Sequence, residues 1–121
     1  WDIMPDAKKL DIESRALGEG VQVLSLSGFL DAHTFEQLDE TISNCFDEDV
    51  FKIVADLSGV EYISSAGAGV FIGSLTTAQE SGGNIVLVNP TPNVREVFDL
   101  LGLSQIFQIV DSVEEASQMF E

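Results

Sequence analysis

Apolar and polar residues alternate along the first part of the chain, which is typical of half-buried β-strands. Residues 9–17 alternate loosely and are followed by Gly18 and Gly20, which favour a hairpin turn. Residues 21–28 alternate more regularly and are predicted to be the partner strand. The pattern therefore predicts an antiparallel hairpin at the start of the fold.

After the hairpin, segments with helical spacing of apolar residues alternate with short apolar runs. The predicted helices are residues 31–44, 65–79, 93–101 and 112–120, and the predicted strands between them are residues 51–57, 84–89 and 106–110. Strands that alternate with helices form parallel sheets, because right-handed crossovers return the chain to the same edge. We predict one α/β domain, with a mostly parallel sheet, an N-terminal antiparallel hairpin strand and about four helices. Residues 8–121 are assigned to it, and residues 1–7 are expected to be a flexible or added N-terminal segment.

The composition is acidic, with 21 Asp and Glu against 5 Lys and Arg and a formal net charge of −16. This charge argues against binding to nucleic acids or to anionic membrane surfaces, because both require basic side chains. The sequence contains no run of about 18 or more apolar residues, so no membrane-spanning helix is predicted. The single cysteine, Cys45, excludes an intramolecular disulfide and is predicted to be a small buried thiol in a reducing cytoplasm. Proteins, small molecules and metals remain as partners.

The charged residues are unevenly distributed. Between Tyr62 and Val94 the only charged side chain is that of Glu80. Buried strand explains part of this neutral stretch, and the remainder suggests a surface with another role.

Two serines, Ser64 and Ser65, stand at the predicted start of a helix within this neutral stretch and precede the small residues 66–69. A helix N-terminus exposes unpaired N–H groups and favours negative charge, a phosphate group included. The alternative for either serine is a plain N-cap. Close helix packing is the alternative explanation for Gly69 and Gly73.

Other kinds of site find less support in the sequence. Nucleotide-binding motifs of the G-x-G-x-x-G and G-x-x-x-x-G-K-[ST] types are absent, and no lysine follows Lys52. A hydrolase is the remaining catalytic hypothesis, with Ser65 as nucleophile and His33 and Asp31 from the neighbouring turn, although a lone histidine at a helix start is usually a surface residue. The acidic residues 47–49 lack metal-binding spacing and are interpreted as a solvated turn. We expect no metal and no cofactor.

Two segments resemble motifs of a known family. Residues 28–34, GFLDAHT, are similar to a G-x-L-D-x-x-T element. Residues 56–69, DLSGVEYISSAGAG, are similar to a D-L-S-x-V-x-[FY]-[IM]-D-S-[ST]-G-x-G-like signature, with every spacing kept and two defined positions changed. Together with the element order, they resemble STAS domains, specifically the bacterial anti-sigma factor antagonists, over about residues 9–120.

The resemblance implies a partner and a switch. Such domains bind an anti-sigma factor that is also a serine kinase; the kinase phosphorylates a serine at this helix start, and a serine phosphatase restores the unmodified form. Alignment on Ile63 and Gly67 places the acceptor at Ser65. Ser64 replaces the usual aspartate and is the alternative acceptor, whereas Ala66 removes a competing one.

The predicted docking surface combines both turns. It comprises Asp31, Thr34, Ser64, Ser65, Ala66, Gly67 and Ala68. Helix capping is the alternative role for Asp31 and Thr34. On the helix itself, Val70 and Ser74 are predicted to border the partner, and Phe71 to be core. The alternative function is that of a STAS module in another assembly, such as a stress-signalling complex or a lipid-transport system.

Overall fold

The computed structural model describes residues 9–18 and 20–120. These residues form five strands and four α-helices in the predicted order. The strands are β1 (Leu10–Ala16), β2 (Val21–Leu30), β3 (Lys52–Ile63), β4 (Asn84–Val88) and β5 (Gln108–Val110). The helices are α1 (Phe35–Asp47), α2 (Ser65–Glu80), α3 (Pro92–Leu100) and α4 (Val113–Gln118), and a 3-10 turn spans Leu103–Gln105.

The strands form one sheet in the order β1-β2-β3-β4-β5. β1 is antiparallel to β2, and the other neighbours are parallel, which confirms the predicted fold class. The carboxyl ends of β2 to β5 therefore share one edge, the carboxyl edge, and their starts share the opposite, amino edge. Residues 1–7, which are expected to be a flexible or added segment, lie outside the described residues. Glu19 of the hairpin turn lies outside them too.

Helices cover both faces of the sheet. One face packs with α1, α2 and α3 in the larger core, which includes Leu38, Phe71 and Phe98. The ring of Phe71 meets the rings of Phe98 and Phe107 edge-on, at centroid distances of 6.4 and 6.3 Å, as expected for a core residue. The other face forms a smaller, valine-rich core with α4. Within the described chain, no helix is long and apolar enough to cross a membrane.

The third strand is longer than predicted. Residues 51–57 were expected to be strand, with a turn to follow, but β3 continues to Ile63. The last part of β2 keeps pairing with it up to Leu30 opposite Ile63, across one register shift between Ser25 and Ser27 and another between Gly28 and Phe29. A Cβ atom at Gly59 would lie 2.8 Å from the Cβ of Ser27, so glycine allows this close pairing. Bulges thus keep a polar segment in the sheet.

Two further boundaries differ from the predictions. The first helix was predicted from residue 31 but begins at Phe35, because the N–H groups of Thr34 and Phe35 both donate to the Asp31 carbonyl in a preceding turn. The last strand was predicted from Ile106 but begins at Gln108. Ile106 and Phe107 instead donate their N–H groups to the carbonyl of Leu103, the first residue of the 3-10 turn.

Candidate functional site

Two strand-to-helix turns meet at the carboxyl edge, as predicted. The N–H group of Ser64 donates to the carbonyl of Leu30 at 2.9 Å, which ties the end of β3 to the end of β2. A Cβ atom at Gly67 would lie 2.6 Å from the Leu30 Cγ atom and 2.8 Å from its carbonyl oxygen. The lack of a side chain at Gly67 therefore lets α2 start directly against the end of β2.

The two adjacent serines have different roles. The half-buried Ser64 is the N-cap of α2, because its Oγ atom accepts a hydrogen bond from the Gly67 N–H group at 3.2 Å. Ser65 is the first residue of the helix and is exposed. Its hydroxyl makes no hydrogen bond to any residue that the structure describes. The N-cap explanation thus holds for Ser64 and leaves the Ser65 hydroxyl accessible.

The start of α2 favours an incoming negative charge. The N–H groups of Ser65 and Ala66 belong to the first turn, where helical partners are lacking, and the helix dipole is positive there. α1 and α4 carry acidic residues in their first turns, namely Glu36, Glu114 and Glu115, whereas α2 and α3, which are described throughout, carry none. The neutral stretch of the sequence therefore leaves this positive helix end without a carboxylate of its own.

Thr34 closes the neighbouring turn. Its side chain is only 8% exposed, and its hydroxyl donates to the Phe29 carbonyl at 2.8 Å and accepts from the Asp31 N–H group at 2.9 Å. Although Thr34 occupies the N-cap position of α1, its side chain makes no capping hydrogen bond, so that alternative is wrong. The half-buried Asp31 accepts from the His33 N–H group through Oδ1, which fixes the turn before α1.

Burial divides the predicted docking residues into two groups. Thr34, Gly67 and Ala68 are buried and support the surface from below. Asp31, Ser64 and Ala66 are partly exposed and Ser65 is exposed, so contact with a partner remains a prediction for these four.

Two interpretations of α2 itself need correction. Ser74 was predicted to border the partner but is buried, since it lies on the side of the helix that faces the core. Gly69 and Gly73 do not serve close packing, because a Cβ atom at either would meet nothing within 4 Å. The exposed side of α2 therefore combines the small residues Ser65, Gly69 and Gly73 with the exposed Ile72.

Sequence reasoning missed two contributors to this edge. The ring of Tyr62 is 48% exposed and lies 6.3 Å from that of Phe29, centroid to centroid, on the neighbouring strand end. The hydroxyl of Thr91 donates to the Val60 carbonyl at 3.0 Å and so ties the turn before α3 to β3. The extension of β3 to Ile63 places both residues at this edge.

The side chains of the hydrolase hypothesis do not form a catalytic triad. In the described part of the chain, no hydrogen bond joins the side chains of Ser65, His33 and Asp31, and His33 is exposed as predicted. Among the same residues, no group of three His, Cys, Asp or Glu side chains could hold a metal ion.

The sequence model of the STAS domain family matches residues 17–116. The chain belongs to the STAS domain family. It is 34% identical to an anti-sigma F factor antagonist of Lysinibacillus sphaericus over 94 residues, which cover 77% of this chain and 79% of that protein.

Solved structures of STAS proteins share this fold. The unphosphorylated form of the anti-sigma factor antagonist SpoIIAA superposes with a TM-score of 0.81 at 27% identity, covering 91% of this chain and 96% of the other. The phosphorylated form of SpoIIAA, a Bacillus cell fate determinant, gives a TM-score of 0.74 at 27% identity, covering 92% of this chain and all of the other (100%).

Proposed function

We propose that this STAS domain is an anti-sigma factor antagonist that binds an anti-sigma factor with serine kinase activity and is released when that kinase phosphorylates Ser65. The observation that carries the proposal is the exposed Ser65 hydroxyl at the start of α2, beside a serine that is already used as the cap. The names of its relatives and the existence of a phosphorylated SpoIIAA structure support this function.

Access and bonding favour Ser65 over Ser64 as the acceptor. A phosphoacceptor hydroxyl has to reach the kinase active site, and the Ser65 hydroxyl is exposed without a competing hydrogen bond among the described residues. The Ser64 hydroxyl is half-buried and caps α2, so its modification would disturb the helix start. We therefore keep Ser65 as the acceptor and Ser64 as the alternative.

The docking surface is proposed to be the carboxyl edge around Ser65. Ala66 directly follows the acceptor and Asp31 directly follows Leu30, and the Ser64–Leu30 hydrogen bond joins these two turns. A rigid surface loses little conformational entropy when a partner docks, which favours binding.

The chemistry transfers the γ-phosphoryl group of ATP to the Oγ atom of Ser65 and releases ADP and a proton. A serine phosphatase would reverse the modification by hydrolysis, releasing inorganic phosphate. We propose that this cycle takes place in the cytoplasm.

Phosphorylation is proposed to act locally. A phosphoserine carries about −1.5 to −2 charges, which the N-terminus of α2 tolerates within the free domain. In the docked complex the same group would be desolvated against the partner, and a penalty of about 3 kcal/mol would weaken binding about 100-fold. No rearrangement of the fold is required for such a switch.

A kinase assay tests the acceptor. The cognate anti-sigma factor and Mg-ATP are incubated with the wild-type protein and with the Ser65→Ala and Ser64→Ala variants, and the products are analysed by mass spectrometry. We expect one phosphate on Ser65 in the wild type and in Ser64→Ala, and none in Ser65→Ala. A phosphate on Ser64 would correct the site. The absence of phosphate from the wild type, together with undiminished kinase binding by Ser65→Asp, would contradict the proposal.

A further inference from the structure

Exposed apolar side chains gather at the amino edge, on the opposite side of the molecule from Ser65. Six large apolar side chains of the described residues are substantially exposed: Tyr62, Ile72, Leu100, Leu101, Ile106 and Met119. Three of them lie within seven consecutive residues at the end of α3 and around the 3-10 turn. We call Leu100, Leu101 and Ile106 the corner patch; they are 80%, 48% and 51% exposed.

The position of the corner patch follows from the topology. α3 leaves the carboxyl edge after β4 and runs back, so its last residues and the 3-10 turn precede β5 at the amino edge. Met119 directly follows α4, which also runs back from the carboxyl edge. Large apolar side chains exposed close together on a folded domain commonly mark an interaction site.

Acidic side chains accompany the corner patch at this edge. α1, α2 and α3 all run back to the amino edge, and each ends with carboxylates and without a basic residue in its last turn, all within the described chain. The residues concerned are Asp47, Glu48, Asp49, Glu80 and Asp99. Carboxylates at helix C-termini are unfavourable because the helix dipole is negative there. A local cost of this kind is expected where function requires it.

Basic groups balance only part of the negative charge at this edge, where Arg15 stands near the end of the antiparallel β1. Arg95 forms an exposed ion pair with Asp99 at 3.4 Å, and Lys52 begins β3. Hydrogen bonds from Ser104 and Arg95 keep the pKa of Asp99 below its ordinary value, so it stays charged beside the corner patch.

We infer that the corner patch is a second docking surface, which receives a basic amphipathic helix of a partner protein. An apolar stripe on that helix would cover Leu100, Leu101 and Ile106, and its flanking Lys and Arg side chains would face the acidic helix ends. A second copy of this chain does not fit, because each copy carries a net charge of −16 and would present the same carboxylates. An anionic membrane is repelled for the same reason.

The inference is independent of Ser65, since the two surfaces lie at opposite edges of the sheet. The domain could therefore hold one partner at the amino edge in both states of the proposed switch. Binding at the corner patch is expected to be insensitive to modification of Ser65.

Peptide titration of the full chain tests the inference. The probe is a synthetic amphipathic helix with leucine on one face and lysine on the other, and the matched control peptide has glutamate in place of lysine. Binding is followed by ¹H–¹⁵N NMR on the wild type, on a Leu100→Ser/Leu101→Ser/Ile106→Ser variant, and on a Tyr62→Ser/Ile72→Ser control. All five positions are exposed, and thermal unfolding checks that both variants are folded.

We expect binding at the corner patch alone, and only by the basic peptide. The lysine peptide shifts the amides of residues 99–107, the triple variant binds it at least about tenfold more weakly, and the control variant stays within about twofold of the wild type. The glutamate peptide does not bind. Shifts centred on the carboxyl edge or spread evenly, or unchanged binding by the triple variant, would overturn the inference. Dimerisation of the free wild-type protein that the triple variant abolishes would also overturn it, because a second copy would then be the occupant.

Discussion

The backbone N–H group of Ser64 donates a 2.9 Å hydrogen bond to the carbonyl of Leu30. This bond joins the ends of two parallel strands immediately before the helix that carries the exposed Ser65 hydroxyl. The proposed acceptor therefore stands on a packed sheet and helix rather than on a loop. Gly67, the third residue of the helix, packs against the same leucine.

Two glycines of α2 should respond oppositely to alanine. In Gly67→Ala, the new methyl group would lie 2.8 Å from the backbone oxygen of Leu30, and we expect a loss of about 1–3 kcal/mol in the free energy of unfolding. In Gly69→Ala the methyl group meets nothing within 4 Å, and the higher helix propensity of alanine should add about 1 kcal/mol. Urea denaturation measures both. Equal effects in the two variants would show that α2 does not start against Leu30.

Alanine at the two serines should separate stability from function. Ser64→Ala removes the N-cap hydrogen bond to Gly67 and is expected to cost about 1 kcal/mol of unfolding free energy. Ser65→Ala removes an exposed hydroxyl and should change stability by less than about 0.5 kcal/mol. Thermal unfolding of the two variants compares them directly. A larger loss for Ser65→Ala than for Ser64→Ala would mean that the cap is misassigned.

Thr34 provides a test of the neighbouring turn. Thr34→Val keeps the shape but removes the hydroxyl that bonds to Phe29 and Asp31, so we expect a loss of about 1–3 kcal/mol. Thr34→Ser should restore most of it, because the hydroxyl returns. The matched control is Thr76→Val, whose hydroxyl bonds only to its own helix at an exposed position. Equal losses of unfolding free energy in Thr34→Val and Thr76→Val, measured by urea denaturation, would argue against the role of Thr34 in closing the turn.

Cys45 was predicted to be a buried thiol and is half-buried. Burial, and secondly the charge of Glu48, raise its pKa above the ordinary value. The stability that the neutral thiol contributes is therefore present below the unfolded-state pKa and is lost as the pH rises through the folded-state pKa. The rate of alkylation by iodoacetamide, measured against pH, should have a higher midpoint in the folded protein than in urea. Coincident midpoints would contradict this environment.

The fold was largely predictable because burial alternates with the period of each element. The hairpin, the parallel strands and the four helices all leave such patterns. The extension of β3 to Ile63 was not predictable from residues 58–61, whose composition is that of a turn. Its pairing depends on the contact between Gly59 and Ser27 on a distant part of the chain.

The candidate site was predictable in position but not in its division of roles. The small residues after Ser65 and the family motif both pointed to the start of α2. Which serine caps the helix depends on the backbone geometry of Ser64, which no local pattern specifies. The burial of Thr34 likewise follows from the tertiary closure of its turn.

The most direct test of the switch measures binding of the cognate anti-sigma factor by isothermal titration calorimetry. The unmodified protein is compared with protein that carries phosphoserine at position 65, with Ser65→Ala as the control for loss of the hydroxyl and with melting temperatures as the control for folding. We predict binding about 100-fold weaker for the phosphorylated form, near-wild-type binding for Ser65→Ala, and melting temperatures that agree within a few degrees. Equal affinity of the phosphorylated and unmodified forms for the anti-sigma factor would contradict the account.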